Sequence, residues 1–102
     1  MERVRMEAAN RKEQLLKVGY EIARDLGIRK VTRAEVARRC EVSDGLLNRY
    51  FAGREGLRFE VMEHAAVLKD VPTLVACSAH YELPAMPQRL AAEVRAAAKA
   101  LE

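Results

Sequence analysis

The stretch from Thr32 to Leu57, TRAEVARRCEVSDGLLNRYFAGREGL, constrains the fold of this chain more than any other. It holds two short amphipathic helical patterns separated by a tight polar turn. Thr32 is a good N-cap, and Glu35 three residues on completes a capping box. Val36, Ala37 and Cys40 form the buried stripe of a helix barely two turns long, with Arg33, Arg38 and Arg39 pointing elsewhere. Glu41-Val42 makes the turn. Ser43 caps the next helix, and Asp44 beside it favours the positive helix end. That helix buries Leu47, Phe51 and part of Tyr50, leaving Asp44, Gly45, Asn48 and Arg49 on its outer face, and Ala52-Gly53 ends it. Two short helices closed by a tight turn point to a helix-turn-helix, a unit that reads duplex DNA through its second helix.

The flanking segments read as helical too. From about Arg11 to Leu26 an apolar face recurs at Leu15, Gly19, Ile22 and Leu26, broadened by Leu16, Val18 and Ala23. Gly27 suits the left-handed residue that closes a helix. Residues 1–10, with Arg3 and Arg5, either fray as a basic arm or extend this helix. Ile28–Val31 is a connector whose apolar ends plug into the core. A fourth helix begins near Arg54, with a stripe of Leu57, Val61, Ala65 and Leu68 widened by Phe59, Met62 and Ala66. Asp70-Val71-Pro72 stops it, and Pro72 opens a new helix.

Thr73–Tyr81 reads as a short helix, although its LVAC run would also suit a buried strand; no partner strand is visible elsewhere. Leu83–Pro87 is an extended, rigid link. The last helix runs from about Pro87 to Leu101, with Leu90, Val94, Ala97, Ala98 and Leu101 on one side. The expected fold class is therefore all-α, with five to six helices. Residues 1–69 form the helix-turn-helix domain and residues 70–102 a short helical C-terminal extension that covers the core or dimerises.

Charge is distributed unevenly. Residues 1–58 hold 14 Lys and Arg against 9 Asp and Glu, whereas residues 59–102 hold 4 against 6. A basic N-terminal half is the asymmetry expected of a polyanion binder. No apolar run is long enough to span a bilayer, and the charged start MERVRMEAANRKEQ is no secretory signal, so a cytoplasmic protein without membrane contact is expected. Cys40 and Cys77 lie far apart among apolar neighbours and read as small buried hydrophobes. With His64 and His80 they lack the paired spacing of a zinc site, so no metal and no cofactor are expected. Nothing resembles a catalytic constellation or a phosphate-binding glycine loop, and the expectation is that the protein is not an enzyme.

The run from Leu15 to Val61 resembles the N-terminal DNA-binding domain of the TetR family of transcriptional regulators. The resemblance rests on the first helix ending in Gly27, the Thr32 cap and Val36-Ala37. It continues through Val42-Ser43 with Gly45, then Leu47, Tyr50-Phe51, Arg54-Glu55 and Leu57. It implies double-stranded DNA as the partner. Thr32, Ser43, Tyr50 and Arg54 look like phosphate contacts, as their family equivalents are; Thr32, Ser43 and Arg54 also stand at helix N-termini, where free N–H groups face anions.

Base contacts are expected from Arg33, Asp44, Gly45, Leu46, Asn48 and Arg49. Gly45 lets the backbone approach the groove, and Asn suits adenine as Arg suits guanine. Two positions depart from the family pattern. Glu41 stands where Gly is usual, and a left-handed Glu costs roughly 1 kcal/mol; Asn48 stands where a phosphate-binding Tyr is usual. Only residues 70–102 follow the fourth helix, so a small-molecule effector is not expected. One recognition helix reads only a few base pairs, which implies a homodimer with the C-terminal segment, including Leu74, Val75 and Cys77, as its surface.

The expected function is thus a sequence-specific DNA-binding regulator. A repressor is favoured over an activator because a repressor needs only to occupy its site. The rival is a protein-interaction adaptor or antirepressor on the same scaffold, to which the acids Glu41 and Asp44 lend weight.

Overall fold

A computed structural model describes residues 2–100, with side chains from residue 10 onward. Six helices make up the fold: α1 (Glu2–Leu26), α2 (Arg33–Cys40), α3 (Asp44–Tyr50), α4 (Gly53–Val67), α5 (Val71–Ser78) and α6 (Gln88–Ala100). No strand occurs among the described residues. The all-α expectation holds, and the apolar run around Leu74 is helical, capped by an Asp70 carboxylate that accepts the Thr73 amide proton at 3.2 Å. The backbone of residues 2–10 continues α1 without a break, while the side chains of Arg3 and Arg5, and Leu101, lie outside the described residues.

The segments α2 and α3 are eight and seven residues long, too short to be stable helices alone. Their stability comes from the longer helices. Leu15 and Ile22 of α1 pack with Val36 and Ala37 of α2, Leu47 of α3 and Leu57, Val61 and Met62 of α4 in one buried cluster. Helices α1 and α4 approach each other closely at Gly19. A methyl group built on Gly19 would lie 2.7 Å from a Val61 methyl, so only glycine fits there without movement. The cluster continues into Leu74 and Cys77 of α5 and Leu90, Val94 and Ala97 of α6. The C-terminal helices thus extend the same core, and the apolar Leu74 and Cys77 are spent inside the chain rather than offered at a surface.

Burial pushes the Cys77 thiol up to about 11 and raises the Cys40 thiol as well, so neither carries appreciable thiolate at neutral pH.

Four local expectations are corrected. Leu26 and Leu68 are more than half exposed, because Leu26 is the last residue of α1 and Leu68 lies one residue beyond α4. The Leu83–Pro87 link is not extended throughout: Leu83–Ala85 makes a 3-10 turn whose first residues accommodate Pro84. The capping box at α2 is half formed. Thr32 Oγ accepts the Glu35 amide at 3.1 Å, but the Glu35 carboxylate turns to Arg38 and Arg39 at 2.6 and 2.7 Å. Two guanidinium groups outcompete one neutral amide for a carboxylate. At α3, Ser43 occupies the N-cap position but its side chain makes no capping hydrogen bond.

The α2–α3 turn is closed by Glu41 in the left-handed conformation, φ 57° and ψ 46°. The Val42 amide returns to the Ala37 carbonyl at 3.0 Å and the Glu41 amide to Arg38 at 3.3 Å, the paired bonds of a Schellman closure. Val42 packs against the core as that motif requires. The left-handed glutamate expected from the sequence is therefore present.

Candidate nucleic-acid interface

The candidate surface is built from the outer sides of α2 and α3 and the segments that hold them. The approach to α2 is set by the 3-10 turn Ile28–Lys30, in which Ile28 and the following Val31 are buried and Arg29 and Lys30 are exposed. Arg58 of α4 fixes that turn from beneath. Its guanidinium is buried, and it donates to the Val31 carbonyl at 2.9 Å and to the Arg29 carbonyl at 2.9 Å. Orphan carbonyls of the connector are thereby satisfied, and α4 is tied to the start of α2. Sequence reasoning missed Arg58. Its signal was an arginine on the buried stripe of α4, at i, i+4 and i+7 with Met62 and Ala65.

Along α3 the side chains sort as the periodicity demands. Leu47 is buried; Ser43, Asp44, Gly45, Asn48 and Arg49 are exposed; Leu46 and Tyr50 are half-buried. Leu46 thus contributes only part of its side chain to the outer face. Tyr50 packs near Phe51, ring centroids 6.4 Å apart, which anchors the C-terminal end of α3 while the Tyr50 side chain keeps some exposure. A methyl at Gly45 would meet no atom within 4 Å, so the glycine is not required by packing inside the chain.

The sequence-predicted base readers are brought together across the two helices. Arg33, the first residue of α2, donates through Nη1 to Oδ1 of Asn48 on α3. Arg49 beside it forms no ion pair with a described residue. The expected phosphate contacts spread around this pair. Thr32 lies half-buried at the start of α2 and Ser43 at the start of α3, while Arg54 is exposed in the first turn of α4. Arg54 reaches the Glu55 carboxylate at 3.4 Å, a loose pair between exposed groups.

Cations elsewhere on α2 are partly compensated. Arg38 and Arg39 both bond Glu35, and their guanidinium groups hold its carboxyl down at about 2. Arg29 and Lys30, adjacent to Thr32, were not singled out by the sequence beyond their charge; their exposure follows from Ile28 and Val31 taking the two buried positions of the turn.

Among the described residues no group of three or more His, Cys, Asp or Glu side chains is placed to hold a metal ion. No described helix is long and apolar enough to cross a membrane. What the surface offers chemically is hydrogen-bond donors and positive charge on a short exposed helix, with one glutamate and one aspartate at its leading edge.

Residues 15–61 match the model of the family described as bacterial regulatory proteins, tetR family. A relative, the HTH-type transcriptional regulator BetI 1 of Chromohalobacter salexigens, is 35% identical over 66 residues, covering 65% of this chain and 32% of the relative. The chain therefore spans about a third of the length of the curated relative it matches. No solved structure matches.

Proposed function

We propose that this protein, whose residues 15–61 match the model of the tetR family of bacterial regulatory proteins, is a sequence-specific double-stranded DNA-binding regulator that acts as a repressor. The observation that carries the reading is the exposed outer face of α3, with Asn48 and Arg49 outward and Arg33 of α2 joined to Asn48. Direct contacts to base edges fall to Arg33, Asp44, Gly45, Asn48 and Arg49, with Leu46 contributing its exposed part. Thr32, Ser43, Tyr50 and Arg54 hold phosphates; the uncommitted Ser43 hydroxyl and the exposed Arg54 support their share.

Residues 1–69 supply this DNA-binding unit and residues 70–102 the extension packed on α4. Two copies bind half-sites about 34 Å apart on one face of the duplex. Since Leu74 and Cys77 are buried, the homodimer uses the exposed Val67 and Leu68 at the end of α4 together with outward Ala96 and Ala100 of α6. The protein works in the cytoplasm, and the reading calls on no effector, cofactor or enzymatic step.

The test is duplex binding measured at two salt concentrations with wild type, Arg49→Ala and Arg54→Ala. Arg49→Ala relaxes base preference, whereas Arg54→Ala weakens every sequence and lowers the salt slope by about one unit. Equal losses on specific and random duplexes for Arg49→Ala refute its base-reading role. Absence of any duplex binding at low salt overturns the whole reading. It would favour an adaptor that binds protein through the same face, for which the exposed acids Glu41 and Asp44 speak.

A further inference from the structure

The bond between Arg33 and Asn48 changes what Asn48 can read. An asparagine recognises adenine through two atoms at once: its amide nitrogen donates to the base N7 and its carbonyl oxygen accepts from the exocyclic amine. A guanidinium has donors only, so the Asn48 atom it meets must be the oxygen, whichever way the amide is drawn. One lone pair of Oδ1 therefore accepts from a charged donor on α2, which turns the oxygen toward α2 and weakens it as an acceptor for a base amine. The Nδ2 hydrogens have no partner among the described residues, and Asn48 is exposed. What the pair presents outward is chiefly donors: those of the Asn48 amide and the remaining N–H groups of Arg33. In the major groove the base that shows two neighbouring acceptors, N7 and O6, is guanine, whereas adenine and cytosine each place an amine where these donors would fall.

We propose that Arg33, besides offering its own N–H groups to the groove, positions Asn48 and converts it from an adenine reader into a donor selective for guanine. The inference rests on the DNA-binding reading above. It replaces the adenine preference that an isolated asparagine would have, and it makes the specificity of α3 depend on the first residue of α2. Because both side chains are exposed and neither enters the core, the pair can be altered without disturbing the fold.

The experiment is selection of bound sequences from a random duplex library with the full chain as wild type, Arg33→Ala, Arg33→Lys, Asn48→Ala and Arg49→Ala. One half-site position should enrich guanine in wild type and lose its preference in Asn48→Ala. At that position Arg33→Ala should move the preference to adenine by roughly tenfold, Arg33→Lys should retain guanine, and Arg49→Ala should alter a different position. In the DNA-free protein, Arg33→Ala should also shift the Asn48 side-chain amide resonances. An Asn48-dependent position that reads adenine in wild type overturns the proposal, as does one that stays guanine in Arg33→Ala with affinity merely reduced. Asn48 resonances indifferent to Arg33→Ala overturn it too. Failure of every variant, wild type included, to enrich any sequence or to bind duplex at low salt would instead remove the DNA-binding reading on which the inference stands.

Discussion

Replacing Glu41 by glycine should stabilise the protein, by an amount that the closure of α2 lets one work out. Glu41 sits at φ 57° and ψ 46°, where an L-residue brings its Cβ against the following carbonyl at a cost of about 1–2 kcal/mol. Glycine escapes that cost but loses about 0.5–1 kcal/mol more backbone entropy on folding. The backbone contribution to Glu41→Gly is thus a net gain of about 0–1.5 kcal/mol, centred near three-quarters of a kcal/mol. A second contribution comes from charge, since a carboxylate at the C-terminal end of α2 faces the negative end of the helix dipole, an effect of about 0.3–1 kcal/mol when exposed.

Glu41→Ala separates the two contributions. It removes the same charge yet keeps the left-handed strain, so the glycine variant should exceed the alanine variant by the backbone part alone. Urea denaturation of the three proteins measures this directly. In thermal scans the Gly–Ala difference should be about 2–8 °C for a domain of this size. An alanine variant as stable as the glycine variant would refute the strain argument and would mean that residue 41 relaxes out of the left-handed region in solution.

Other perturbations test how the site is held. Gly19→Ala should cost up to about 2 kcal/mol, because overpacking against Val61 offsets or outweighs the gain of about 1 kcal/mol in helix propensity; adding Val61→Ala in a double-mutant cycle should recover the propensity gain, and a stabilised single variant would contradict the close contact. Arg58→Met keeps the aliphatic stem but leaves the Val31 and Arg29 carbonyls without their donor, for a loss of about 1–3 kcal/mol by urea denaturation. Acid should unfold the protein partly through Asp70. The Tyr20 hydroxyl, donating to it at 2.6 Å, and the Thr73 amide hold its carboxyl below the usual range. A folded value below the unfolded one means that this stability is complete above the ordinary carboxylate range near pH 4 and is lost as pH falls through the folded value. Tyr20→Phe should therefore flatten the fall in stability as pH drops below about 5; an unchanged profile would count against this bond.

The sequence pattern reached as far as single elements and stopped at couplings between them. Thr32, Val36, Ala37, Cys40, Leu47 and Phe51 could be placed because caps and apolar spacing are local properties of one helix, and each lies where that logic puts it. Leu26 and Leu68 have the correct spacing but fall at helix ends, where the neighbouring helix no longer covers them. Glu35 looked like a reciprocal cap because the motif considers two residues only, while the carboxylate had two arginines one turn further on to choose from. The left-handed Lys69 that ends α4 carries no marker of its own at all. Arg33 with Asn48 lies 15 residues apart in sequence, Tyr20 with Asp70 50 apart, and Arg58 reaches carbonyls 27 and 29 residues back. No periodicity encodes such pairs, since they depend on how the helices cross.

The same couplings decide which of the basic residues remain available to a polyanion. The excess of Lys and Arg in residues 1–58 is partly consumed within the chain. Lys12 is held by Glu60 at 3.1 Å, Arg24 by Asp25 at 2.8 Å, and Arg38 and Arg39 share Glu35. Arg58 is buried against carbonyls. Arg29, Lys30, Arg33 and Arg49 have no carboxylate of a described residue within ion-pair distance. The first three stand within five residues of one another at the approach to α2, and Arg49 follows Asn48, which Arg33 touches. Arg11 and Lys17 of α1 also form no ion pair with a described residue. Part of the uncompensated charge thus lies at the approach to α2 and on α3, a location that a net count over half the chain cannot give. A phosphate arriving there displaces no internal ion pair, whereas one arriving at Arg38 or Arg39 must compete with Glu35. The free cations at α2 and α3 therefore stand beside the donors proposed to read a duplex, with Glu41 and Asp44 limiting the attraction they would exert on a polyanion.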